Sequence, residues 1–174
     1  KEKSISYEVN FCKKYSHRCI TRFYGFVMKN QIPIGFVYEF MSNGNLYDYI
    51  RKNKNEISDF FSYGAMIRIA QGINYLHSNL LIHRDIKPHN ILIDHDHIPY
   101  LSDFDTVKNT EMQSENTNDI GSIKYMSSKQ FHGQNYSFPT DIFSFGQLIY
   151  FLYENAIGIC VCVRYLCMCV SDCV

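Results

Sequence analysis

Side chains able to do chemistry concentrate in two short segments of the 174-residue chain. The first runs Ile82-His83-Arg84-Asp85-Ile86-Lys87-Pro88-His89-Asn90-Ile91-Leu92-Ile93, and the second is Ser102-Asp103-Phe104-Asp105. Together they bring carboxylates, a lysine and an asparagine into a polar cluster between apolar runs. Carboxylate and amide oxygens can take a proton or a hard cation, and a lysine can hold an anion. The apolar runs read as buried strands bounding a loop, and a loop on a rigid frame is a favoured seat of catalysis.

Two other groups carry metal-donor residue types. Asp94-His95-Asp96-His97 could ligate a metal by composition, but Asp favours turns and a lone His-x-His is a weak signal, so a hairpin turn is the expected reading. Cys160, Cys162, Cys167, Cys169 and Cys173 crowd the end of the chain, where the C-x-C pairs offer zinc or copper donors. Cys12 and Cys19 lie early and no cysteine separates the two groups, so the body has no disulfide framework. A reducing, cytoplasmic (intracellular) setting is expected.

The formal net charge is zero, which argues against nucleic acid as the main partner. Apolar residues make up 46% and charged residues 20%, enough for one soluble domain with a real core. The run Ile159–Val170 is short and holds Arg164, so no membrane span is expected. Residue 1 is Lys, so the chain is expected to begin inside a longer protein, and no secretory signal pattern is visible in it.

The elements that must position the cluster follow from periodicity. Residues 4–15 read as a short helix. Phe23–Met28 and Phe36–Met41 are aromatic and β-branched runs that read as strands, with Asn30, Pro33 and Gly35 punctuating their connection. Leu46–Arg51 reads as a helical turn after the break at Ser42–Asn45. Ser58-Asp59 opens the clearest helix, in which Met66, Ile69, Ile73, Leu76 and Leu80 draw one apolar stripe. Gly72 within it costs on the order of 1 kcal/mol of helix propensity, which a close helix contact would explain. Asn90–Ile93 and Tyr100–Ser102 read as short strands, residues 106–120 as an exposed polar loop, and Thr140–Tyr153 as a helix apolar on every side and hence interior.

His83-Arg84-Asp85-Ile86-Lys87-Pro88-His89-Asn90 resembles the catalytic loop of protein kinases, H-R-D-x-K-P-x-N, at all six defined positions. Asp103-Phe104-Asp105, placed 18 residues after Asp85, resembles the family's metal-binding D-F-G with its last residue changed. Gly121–Lys129 is similar to the end of the activation segment, Thr140–Gly146 to the start of the central helix of the C-lobe, and Val37–Leu46 to the hinge between lobes. Glu8 lies nine residues before His17, as the helix-C glutamate does before the family's H-P-N-I. The resemblance implies an α+β, two-lobe kinase-like fold, truncated to the end of the N-lobe, the hinge and the C-lobe up to its central helix. It covers residues 1–155 and leaves residues 156–174 as an atypical Cys-rich apolar tail, for which a truncated or misread gene end is the expected explanation. Lys87 points to the serine/threonine class, and the flavour is of its tyrosine-kinase-like group.

By that resemblance, Asp85 is the catalytic base and Lys87 reaches the γ-phosphate of ATP. Asn90 and Asp103 hold Mg²⁺, and Arg84 pairs a phosphorylated activation loop, for which Thr106, Thr110, Ser114 and Thr117 are candidate acceptors. Glu39 and Met41 offer backbone groups to adenine, Leu92 forms its floor, and Tyr38 is a bulky gatekeeper. Glu8 belongs to the same nucleotide-binding set. His83 and Phe104 are expected to stack with Cys12 and Phe23, held by Asp141. The partners implied are ATP and a protein substrate.

Three features depart from the family pattern. No Gly-rich loop or strand lysine precedes Glu8. Asp105 stands where glycine serves a positive-φ position, and it sets a second carboxylate beside Asp103. Ser128-Lys129 replaces Pro-Glu, so Lys129 cannot make the family's ion pair to an arginine. These departures keep a pseudokinase or interaction module as the alternative to an active serine/threonine kinase.

Overall fold

The computed structural model describes residues 11, 14–30, 32–54, 56–109, 125 and 137–157. The aromatic and β-branched runs pair as an antiparallel hairpin, β1 (Phe23–Lys29) with β2 (Ile32–Tyr38). The chain reverses at Asn30, whose φ of 49° lies in the left-handed region that Asn tolerates. β2 therefore starts earlier than expected and ends at Tyr38 rather than Met41. Pro33 and Gly35 sit inside the strand, not in the connection. Gly35 pairs Val27 and Pro33 pairs Met28, so Ile34 is the extra residue of a bulge, where a proline without an amide hydrogen is tolerated.

α1 (Leu46–Lys52) is capped by Asn45, whose side-chain oxygen accepts from the Asp48 amide at 2.9 Å, and it buries Leu46 and Ile50. α2 (Asp59–Ser78) is capped by Ser58, whose hydroxyl oxygen accepts from the Phe61 amide at 3.1 Å. Its buried stripe is Ser62, Ala65, Ile69, Gly72, Ile73 and Leu76. Leu80 does not belong to that stripe. The helix ends at Ser78, and Leu80 takes a φ of 59° and stays 43% exposed while the backbone turns into β3 (Leu81–Ile82). The close approach at Gly72 is real but is not to a helix: a Cβ there would lie 3.3 Å from the Cys19 carbonyl oxygen and 3.5 Å from Leu101.

A 3₁₀ turn (Pro88–Asn90) leads into β4 (Ile91–Ile93), which pairs antiparallel with β5 (Pro99–Leu101). Asn90 thus leaves the expected strand and caps its start. The Asp94–His97 connection is the hairpin turn, with Asp94 Oδ1 accepting from the amides of Asp96 (2.9 Å) and Ile98 (2.8 Å). β6 (Lys108–Asn109) pairs with β3, so the polar loop expected over 106–120 begins with a turn and a short strand; residues 110–120 lie outside the described residues.

α3 (Phe138–Leu152) follows Ser137, whose amide donates to the Thr140 hydroxyl at 3.3 Å. The expectation that this helix is buried all round is corrected. Thr140, Asp141, Ser144, Leu148 and Leu152 form the one buried face, while Ile142 is 45% exposed and Phe143, Phe145 and Ile149 are half-buried. Steps of about four residues place that face against α2, while Phe151, off that face, lies against Tyr47 of α1 at 5.8 Å. The core interlocks Leu46 and Ile50 of α1, Ile69 and Leu76 of α2, and Leu148 and Leu152 of α3 with Ile86, Ile91, Ile93 and Leu101. The architecture is α+β, a strand hairpin followed by a mainly helical body.

Candidate active site

The loop between β3 and the 3₁₀ turn carries the densest polar chemistry, and it is anchored from below by one carboxylate. Asp141, in the first turn of α3, is fully buried and accepts from the amides of His83 (2.8 Å) and Arg84 (2.9 Å). Its Oδ2 also meets His77 Nε2 at 2.8 Å. These bonds hold Arg84 at a φ of 71°, a conformation that costs a non-glycine residue about 1–2 kcal/mol. His83 is fully buried, and burial holds its imidazole below the usual range against the opposing pull of Asp141. The neutral ring donates from Nε2 to the Ser102 carbonyl (3.0 Å), which leaves Nδ1 facing the Asp85 amide at 3.4 Å.

Above this floor, Asp85 Oδ2 accepts from Lys87 Nζ at 2.5 Å and from Asn90 Nδ2 at 2.8 Å. The same Asn90 nitrogen donates to the Asp85 carbonyl at 2.8 Å. Asn90 is buried, and with its nitrogen so engaged, its side-chain oxygen is the atom left to ligate a cation. Ser102 donates to the Asn90 carbonyl through both its amide (2.9 Å) and its hydroxyl (2.8 Å), which fixes Asp103 relative to the loop.

Asp103 follows with a φ of 66°. It keeps solvent on one side, yet its carboxyl is raised from 3.8 to about 7. The protein wall behind it is the largest cause, followed by a hydrogen bond and charge from Asp105 and the charge of Asp85; Lys87 opposes them. Three carboxylates around one amine leave an excess of negative charge that a hard divalent cation would neutralise, and carboxylate plus amide oxygen is the donor set such an ion takes. The residues present therefore fit a divalent metal.

The raised value has a sign consequence. A carboxyl whose folded pKa exceeds its unfolded pKa stabilises the fold fully below about 3.8 and loses that contribution as pH rises through about 7. In metal-free protein, unfolding midpoints in urea are expected to fall between pH 4 and 7.5 and to fall less in Asp103→Asn. Parallel curves for the two proteins would contradict the shift.

Asp105 does not occupy the positive-φ position expected of it. That conformation belongs to Asp103, while Asp105 sits in the following turn with negative φ. Replacing glycine by Asp therefore carries no backbone penalty at this residue, and its effect is electrostatic. Phe104 is buried and meets the edge of His83 at 5.6 Å, as expected. The ring stacked on its other side is Phe11, at 4.5 Å and 20°. Cys12 lies outside the described residues, and the ring contacts of Phe23 are with Phe26, Phe36 and Tyr38 in the hairpin.

The hinge residues follow β2. Tyr38 ends the strand and Glu39 is tied back by its amide to the Arg22 carbonyl at 2.8 Å. Met41 is buried, and its carbonyl accepts from the Gly44 amide at 3.1 Å. Bonds from Asn43 N to Ile93 O (3.1 Å) and Ile93 N to Gly44 O (2.8 Å) lay this segment along β4, where half-buried Leu92 bridges to Asn45. Glu8, Thr110, Ser114, Thr117, Ser128, Lys129 and the Cys-rich tail from residue 158 on lie outside the described residues. Thr106 is tied in rather than presented: its hydroxyl donates to the His83 carbonyl at 2.8 Å and its carbonyl accepts from Arg84 Nε at 2.5 Å. His77 was not legible from the sequence, because no spacing rule links a helix histidine to a carboxylate 64 residues away.

The sequence profile described as "Protein kinase domain" matches residues 1–158. Serine/threonine-protein kinase STY46 of Arabidopsis thaliana is 30% identical over 149 residues, covering 86% of this chain and 26% of that protein. Serine/threonine-protein kinase VIK of the same plant is 31% identical over 158 residues, covering 86% of this chain and 36% of that protein. Probable serine/threonine-protein kinase gdt2 of Dictyostelium discoideum is 34% identical over 158 residues, 88% of this chain and 10% of that protein. The chain thus spans about a third or less of the length of these relatives. A profile match across almost all of its residues, and the loop geometry that matches its motif, lead to one conclusion: the chain belongs to the protein kinase family.

Proposed function

We propose that this domain transfers the γ-phosphate of ATP to a serine or threonine hydroxyl of a protein, with Mg²⁺, in an intracellular setting. The observation that carries the reading is Asp85 Oδ2 held between Lys87 Nζ and Asn90 Nδ2, in a loop hydrogen-bonded to the Asp103 segment. Phosphoryl transfer demands positioning and charge neutralisation more than covalent chemistry from the protein. Asp85 orients the acceptor hydroxyl and takes its proton, and the two bonds on Oδ2 aim its other oxygen outward. Lys87 is a point charge for the transferred phosphate. Asn90 and Asp103 would hold Mg²⁺, which supplies neutralisation of the phosphate oxygens when bound. Glu39 and Met41 present backbone groups to adenine over Leu92, and Glu8 belongs to the same set by its spacing from His17. The free thiol of Cys19 is in keeping with a reducing compartment. Zero net charge favours a protein acceptor over nucleic acid, and among the described residues no helix is long and apolar enough to cross a membrane.

The deciding experiment incubates the protein with γ-labelled ATP, Mg²⁺ and a Ser/Thr protein acceptor, with Asp85→Asn as the control. Label in acid-stable phosphoserine or phosphothreonine, lost in the variant, is the expected result. Equal labelling by both proteins would remove Asp85 from its role. Asp105 should also leave a mark. At pH 8, Asp105→Gly removes a negative charge beside the metal ligands, so half-saturating Mg²⁺ is expected to rise about two- to five-fold, the range of one partly exposed charge interaction. Superimposable Mg²⁺ titrations would show that Asp105 is silent.

A further inference from the structure

A side-chain cluster beside the loop has no part in the chemistry above. His89, exposed in the turn that also carries Asn90, stacks on Tyr47 at 4.5 Å and 20°. The Tyr47 ring lies nearly parallel to Phe151 as well, at 5.8 Å. Arg51, one helical turn on, donates from Nη1 to the Tyr47 hydroxyl at 2.9 Å and lies 5.4 Å from its ring centroid. Among the described residues no carboxylate is within ion-pair distance of Arg51. Asp48 on the same helix is engaged by Asn45 at 2.8 Å. Glu154 is the opposing charge in the neighbourhood, within electrostatic reach of Tyr125 as Tyr47 is. The result is an exposed guanidinium held in place by an aromatic column that ends on the loop bearing Asp85. A segment bringing its hydroxyl to Asp85 lays its flanking residues against the exposed members of that loop, of which His89 is one.

We infer that Arg51, braced by Tyr47 beside His89, is a specificity-determining residue that receives a carboxylate flanking the acceptor hydroxyl, so that the substrates are acidic protein segments. This rests on the phosphoryl-transfer reading above. A guanidinium already fixed by a hydrogen bond and a ring loses little freedom when it pairs a carboxylate. A peptide carrying Arg or Lys at the same place would meet like charge from Arg51 and from Lys52 at the end of the same helix.

Three serine peptides, identical except for Glu, Ala or Arg on both flanks of the serine, test this. Transfer is read as kcat/KM, and binding is read by fluorescence anisotropy on matched peptides with the serine replaced by alanine. The Glu peptide is expected to exceed the Arg peptide about three- to ten-fold in both readouts at low salt, and the ratio to shrink in high salt. Arg51→Gln is expected to bring the ratio near one and Arg51→Glu to invert it; agreement of the two variants guards against loss of folding. A ratio that ignores both variants, or a wild-type preference for the Arg peptide, overturns the inference. Transfer to all three peptides without preference sinks the subsite and leaves the activity standing. Arg51-dependent binding of the Glu peptide without transfer to any peptide keeps the subsite and sinks the activity. Neither transfer nor preference removes both.

Discussion

Asp85→Asn is expected to lower phosphoryl transfer by about 10²- to 10⁴-fold, the usual contribution of a positioned general base. The reason lies in the hydrogen bonds already present. Asp85 Oδ2 is occupied by Lys87 Nζ and Asn90 Nδ2. An asparagine can keep its oxygen on those two donors, so the loop retains its shape. Its nitrogen then points where the carboxylate's second oxygen stood, and offers a hydrogen to a hydroxyl that needs an acceptor. Nucleotide affinity is expected to change less than about three-fold, because the segment Glu39–Met41, Leu92, Asn90 and Asp103, to which the proposed function gives the nucleotide and its cation, are untouched. Stopped turnover with preserved ATP binding, measured by labelled transfer and by calorimetry, is the signature. Loss of both would instead show that Asp85 holds the loop together.

The largest effect on folding is expected at Asp141. Asp141→Ala strands the amides of His83 and Arg84 and the ring nitrogen of His77, around a carboxylate that is itself fully buried. Each unmet buried donor costs about 1–3 kcal/mol, and removing a buried carboxylate from its partners about 3–5 kcal/mol in all. A domain has about 5–15 kcal/mol in total, so the variant sits near its unfolding limit. The expected drop in Tm is roughly 10 °C or more, at about 2–4 °C per kcal/mol for a chain of this size. Asp141→Asn should do nearly as badly, since its amide nitrogen would face an N–H donor. His77→Ala removes only one of the three bonds and is expected to cost about 1 kcal/mol. Urea denaturation of the three variants separates these cases. Equal small shifts in all of them would mean that water replaces the carboxylate.

The parts of the fold that were legible in the sequence are those whose cause is local. The Ser58 cap, the stripe from Ile69 to Leu76 and the Asp94–His97 turn follow from periodicity and side-chain-to-backbone hydrogen bonding within a few residues. The misread places have non-local causes. Leu80 fits the stripe by spacing, but the backbone must turn there to feed β3. Pro33 and Gly35 look like punctuation until a bulge opposite Val27 and Met28 accommodates them. α3 is apolar all round in composition, yet its buried face also carries Thr140, Asp141 and Ser144, selected by what they bond rather than by hydropathy. In the site, the grouping of Asp85, Lys87 and Asn90 in one loop was readable because they share a contiguous motif, and Asp103 because its own short segment follows 18 residues after Asp85. The left-handed conformation at Asp103, the Phe11 stack and the His77 contact were not, because each depends on a partner distant in sequence.

The paired bonds between Ser102 and Asn90, together with those of Thr106 to His83 and Arg84, have a consequence for motion. They join residues 83–90 and 102–106 into a single cooperative unit through one backbone and three side-chain hydrogen bonds. Local opening of one segment would break the bonds of the other and expose buried Asn90 and His83, so the cheapest excursion is concerted. Asp85 and Asp103 therefore keep their separation when the segments fluctuate together. Disorder in this region, when it comes, is all-or-none rather than a gradual loosening of one group against the other.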